Sequence, residues 1–220
     1  MAWSIDSSQA NTRNDTPSNP FTVSYTVGSG SNRFLVVTIS NFTNNQTVTA
    51  VTYNGTSMTQ LPTNSPQTTY GGGTQNSFFY LVNPSSGSNT LSITWSASTS
   101  QFYYAAVSYT GVEQTPTIRS SSAQSGSIRT SSSVSLTGTS ANDLMVISQS
   151  GEGDSVVPGT GVTLRSYPGS IYSHATGDKN ATGSSDSLSV TTSSNWWTTI
   201  GAAFAPATAS TVNSNFFMFM

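Results

Sequence analysis

Residues 90–111, TLSITWSASTSQFYYAAVSYTG, decide the fold, because they carry two strand patterns in succession and because the chain writes them a second time. Leu91, Ile93 and Trp95 alternate with Ser92, Thr94 and Ser96, the period of two that marks a strand buried on one face. After a small polar turn, Tyr103, Ala105, Val107 and Tyr109 recur at alternate positions, rich in the aromatic and β-branched side chains that suit a pleated surface. By itself this stretch predicts a hairpin. Its repeat is Ser187 to Pro206, SLSVTTSSNWWTTIGAAFAP. Leu188 and Val190 take the places of Leu91 and Ile93, while Ile200, Ala202 and Phe204 fall where Ala105, Val107 and Tyr109 stood, at one constant offset.

Other segments repeat in the same order. Asn142 to Ser148, NDLMVIS, matches Asn32 to Thr38, NRFLVVT; Val162 to Leu164 echoes Met58 to Leu61, and Ile171-Tyr172 echoes Phe79-Tyr80. Arg33 to Ser40, RFLVVTIS, is the most apolar run of the first half and reads as a central strand. Asn54-Gly55 is a strong hairpin-turn signal. No segment shows a helical period over about ten residues. The expectation is an all-β chain: a single, jelly-roll-like β-sandwich over residues 1–206, made of two internally similar halves at about 21–111 and 127–206. In the simplest packing each half supplies one sheet. Residues 207–220 follow as an arm with an apolar end.

Charged residues make up 6% of the 220, where roughly 25% is usual, so hydroxyls and amides must solvate the surface. The six basic residues, Arg13, Arg33, Arg119, Arg129, Arg165 and Lys179, are scattered singly. No patch of them would neutralise several phosphates at once, which excludes nucleic acid as a partner. No apolar run approaches the roughly 18 residues of a spanning helix, so no membrane partner is expected. The opening MAWSIDSS lacks the basic and apolar regions of a secretory signal. Cysteine is absent, and with it any disulfide framework. Because so few charges are available to guard strand edges, edges covered by a homo-oligomer or a larger assembly are expected.

The runs FTVSYTVGSGSNRFLVVTIS, VTAVTYNGTSMTQL, FFYLVNPSSGSNTLSITWS, AAVSYTGVEQTPT and IGAAFAP are similar to a recurrent β-sandwich module of bacterial cell-surface proteins and of bacteriophage structural proteins. The resemblance spans about Phe21 to Pro206. It implies a display or adhesion unit with no catalytic residue. The corresponding expectation is a virion structural protein, a capsid decoration (cement) or head-surface component bound to other capsid subunits. The alternatives are a secreted or surface adhesin with carbohydrate affinity and an extracellular filament subunit.

Five constellations are candidates for chemistry or contact. His174, the only histidine, reads as a polar strand residue, since no G-x-S-x-G elbow accompanies it for a triad. Glu152 and Asp154 do not assemble the aromatic-ringed cleft of a glycosidase, and no enzyme activity is expected. Asp178, Asn180, Thr182 and Asp186 have the alternating spacing of a weak calcium loop, with Ser189 where a bidentate Glu would stand. No other cofactor is expected. Trp95 and Trp197 are the candidates for stacking on a glycan, adjacent Trp196 and Trp197 pointing to opposite faces. Finally Phe216, Phe217, Met218, Phe219 and Met220 form an apolar end suited to docking into a partner.

Overall fold

The computed structural model describes residues 2–10, 17–42, 46–61, 67–68, 74–97, 101–115, 118–126, 130–152, 155–167, 172–192 and 196–208. The first half runs through β1 (Ser4–Ala10), β2 (Phe21–Val27), β3 (Phe34–Asn41), β4 (Val48–Tyr53), β5 (Thr56–Ser57), β6 (Thr59–Leu61), β7 (Gln67–Thr68), β8 (Gln75–Val82), β9 (Gly87–Trp95) and β10 (Phe102–Thr110). The second runs through β11 (Ile118–Gly126), β12 (Ser131–Thr137), β13 (Leu144–Glu152), β14 (Val156–Pro158), β15 (Thr163–Ser166), β16 (Tyr172–Asn180), β17 (Ser185–Thr192) and β18 (Trp197–Phe204). The fold is all-β, and the described residues include no helix.

Each half builds a large antiparallel sheet and a small one. The large sheets have the orders β1-β10-β3-β8-β6, with β7 also on β8, and β11-β18-β13-β16-β15; the small ones are β2-β9-β4-β5 and β12-β17-β14. Apart from the short β5 and β7, which have no counterparts among the described residues of the second half, the two halves share one topology. The registers agree as well: Phe34 faces Tyr109 as Leu144 faces Phe204.

Two expectations change here. The sequence predicts that residues 91–96 and 102–109 pair as a hairpin, but β9 lies in the small sheet and β10 in the large one. The chain crosses between layers at that point, and does so again between β17 and β18. Each half, moreover, supplies two sheets rather than one. Each small sheet covers one face of its own large sheet, around Leu35, Ile39, Ile93 and Phe102 in the first half and Val134, Ile147, Leu188 and Ala203 in the second. A third cluster, with Phe34, Phe78, Tyr109, Val146, Ile200 and Phe204, joins the two large sheets. The result is a four-layered stack, small-large-large-small. Burial follows the layers: β3 and β18 are buried at every residue, as inner strands must be, whereas β12 alternates exposed and buried along its length. The second half's large and small sheets approach closely where β18 carries Gly201, since a Cβ there would meet Val134 Cγ2 of β12 at 2.3 Å.

The Asn54-Gly55 turn forms as expected, with φ of 48° and 75°; positive values at both positions are the hairpin geometry that Asn-Gly favours. Scarce charge also proves to be placed. Edge strands β1 and β11 each bulge at the equivalent position, and the inserted residues are Asp6 and Arg119. Edge strand β15 bulges at Arg165. A bulge bearing a charge twists a free edge out of reach of another strand, so a few charged residues guard three edges.

Candidate functional site

The stacked large sheets meet along a seam that is apolar at one end and polar at the other. Alternation along β3 and β16 turns Thr38, Ser40, His174, Thr176 and Asp178 into it. His174 is fully buried. Its Nδ1 lies 2.5 Å from Ser40 Oγ and its Nε2 3.1 Å from Thr38 Oγ1, which in turn is 2.6 Å from Thr176 Oγ1. Burial without a counter-charge pushes the imidazole pKa down to about 3, so the ring is neutral and donates to one hydroxyl while accepting from the other. Across the seam, Asn76 Nδ2 donates to the Ser148 carbonyl, and Asn76 Oδ1 accepts from Ser148 Oγ at 2.7 Å. Register equates Asn76 with His174 and Thr38 with Ser148. The two contacts are thus mirror counterparts, and the seam has the self-complementary pattern of a two-fold interface.

The third buried group is ionic. Arg165 binds Asp178 through two hydrogen bonds of 2.6 and 2.7 Å, and the Tyr109 hydroxyl donates to the same carboxylate at 2.9 Å. Burial, reinforced by the Asp178 charge, raises the Tyr109 phenol pKa well above its usual value. In the mirror position Phe204 packs on Tyr80, ring centroids 5.8 Å apart. Replacing Arg165 by Leu strands a carboxylate whose side chain is only 1% exposed. It is expected to cost about 3 kcal/mol in urea unfolding, most of it recovered when Asp178 is also made apolar.

This geometry orders side chains without arming them. Ser40 touches an imidazole, but the other ring nitrogen meets a hydroxyl instead of the carboxylate a triad requires, and Ser40 and His174 are each 0% exposed. The remaining candidates are dispersed. Asp178 is held in the seam by Arg165, whereas Asp186 caps Thr182 and pairs with Lys179 at 2.7 Å. Burial raises the Asp186 pKa, but Lys179 and the N–H groups of Thr182 and Ser187 outweigh it and hold the carboxyl at about 2. Asn180, Thr182 and Asp186 line one shallow depression to which Asp178 does not contribute, so the four oxygens spaced like a calcium loop do not converge. Trp95 is 3% and Trp197 6% exposed, so their ring faces are covered and cannot stack on sugar. The neighbouring pair does face opposite ways, with Trp196 outward at 37%. Residues 216–220 and Asp154 lie outside the described residues. The echo of Phe79-Tyr80 also shifts: register places Gly177-Asp178 there rather than Ile171-Tyr172.

Fold and seam define an all-β protein of stacked, internally duplicated sandwiches. Comparison with family models, with curated proteins and with solved structures finds no match to this chain.

Proposed function

We propose that the chain is a non-enzymatic virion structural protein, a capsid decoration (cement) or head-surface component that binds other virion proteins and further copies of itself. One observation carries this reading: the strands of the outer layers are rich in hydroxyls and carry a single charged residue, Asp186 of β17, which is paired with Lys179. Strands β2, β4, β9 and β12 contain no charged residue, and the outward positions of β2 and β12 are Thr22, Ser24, Thr26, Ser131, Ser133, Ser135 and Thr137. Interface cores are depleted of charge in the same way, and a neutral face loses little on permanent desolvation. The buried ion pair and the buried histidine meanwhile serve the interior. The apolar Phe216–Met220 segment is the proposed peg into a neighbouring subunit.

Electron microscopy of particles from the native source, labelled with an antibody to this chain, tests the proposal. Label is expected on the particle head, and loss of residues 213–220 is expected to release the chain from particles. Label found only outside particles overturns it.

A further inference from the structure

The duplication provides an internal control at the end of each half where β9 hands over to β10 and β17 to β18. In the first half Phe21, Ile39, Trp95, Phe102 and Tyr104 fill that end, with Phe21–Phe102 centroids at 5.0 Å and Trp95–Phe102 at 4.8 Å. Register places Ser132, Gln149, Thr192, Trp197 and Thr199 at the same positions of the second half. These five are buried, from 0% to 6% exposed, and apart from Trp197 they are smaller or more polar than their twins. Four polar atoms there have no hydrogen-bond partner: Ser132 Oγ, Gln149 Nε2, Thr199 Oγ1 and Trp197 Nε1. Buried polar groups are almost always satisfied, so such a cluster calls for a polar partner, a water or a ligand.

The cluster adjoins the surface through Trp197. A depression of about 350 Å³ is lined by Gln124, Ser125, Gly126, Ser131, Ser133 and Trp197. Gly126 is required at its floor, since a Cβ there would stand 2.9 Å from Trp197 Cζ2 and 3.3 Å from Nε1. The unpartnered indole N–H edge therefore lies directly behind that floor.

We infer that this end of the second half binds one neutral sugar residue of a glycan. Every group that the described lining residues offer is uncharged: serine hydroxyls and the Gln124 amide in the depression and the indole N–H behind it. Among the described residues a phosphate or an acidic sugar would find no cation there, whereas a neutral polyol matches both the donors and the acceptors. Trp197 would act through its N–H edge, not through the stacked face that its sequence position suggests. This site is independent of the assembly role.

Saturation-transfer NMR on the full chain, with glucose, galactose, mannose and N-acetylglucosamine as probes, tests the inference. At least one sugar is expected to receive saturation. Trp197→Phe, which installs the twin's residue and deletes only the N–H and part of the ring, is expected to weaken that signal at least tenfold; Gly126→Val, which crowds the floor, is expected to abolish it. Both variants are to be scored only with melting curves as cooperative as the parent's. Silence from all four sugars, meaning that water alone meets the orphaned groups, overturns the inference. So does a signal unchanged in both variants.

Discussion

Phe204→Ala is expected to destabilise the protein by about 4 kcal/mol, lowering the melting temperature by roughly 10 °C. Phe204 is fully buried where the two halves meet, 4.6 Å from the Phe34 ring and 5.8 Å from Tyr80. Its removal leaves a cavity walled by strands of both large sheets, which cannot close without shifting one half against the other. Because the seam joins the halves, the weakened protein should still melt in one transition, displaced as a whole. Differential scanning calorimetry reads this directly. Separate melting of two units, one of them unmoved, would show that the halves stand alone.

Acid should act through His174. Its pKa falls from 6.5 in the unfolded chain to about 3 in the folded one, so below pH 6.5 the unfolded chain binds a proton that the folded protein refuses. Stability is fully present above pH 6.5 and drains as pH falls, by at most about 1.4 kcal/mol per pH unit. Between pH 6.5 and 4.5 this amounts to about 2–3 kcal/mol. The other acidic groups with displaced values, Glu113 and Asp186, start from 4.5 and 3.8 and contribute only toward the lower edge of that window. His174→Asn, carrying the twin's residue, is expected to lose stability at pH 7 through its forfeited hydrogen bonds yet to remain nearly flat from pH 6.5 to about 5.5, above the carboxylate range. Urea titrations at closely spaced pH values measure both slopes. Equal slopes in parent and variant would remove His174 from the account.

Much of the fold is legible in the side-chain periods. Alternation at 91–96 marks a strand with one wet face, and the nearly unbroken apolar runs RFLVVTIS, FYYAAVSY and TIGAAF mark strands covered on both sides. Each such run needs a layer on either side, a consequence that the expectation of one sheet per half does not draw. What the period cannot say is which strands are neighbours, because a buried face is satisfied equally by a ladder partner or by the opposite sheet. That is why β9 and β10 read as a hairpin and are not one. The site was harder still. His174 is recognisable as a strand residue, but its partners Thr38 and Ser40 lie 136 and 134 positions away and belong to residue types that the chain uses everywhere. Trp196 and Trp197 must face opposite ways on a strand, yet only the Gly126–Trp197 register decides which of them looks inward. The orphaned atoms around Gln149 become visible only when each half is laid on the other.

A contact surface built from equivalent positions on both sides does not distinguish its own second half from that of a neighbour. The link between β10 and β11 is short, running from Gly111 to residue 117. If the chain opens at that link, each half can close on the complementary half of another molecule and recover every cross-seam bond. Concentrated or partly unfolded preparations are therefore prone to reciprocal exchange into dimers whose interiors repeat the monomer's.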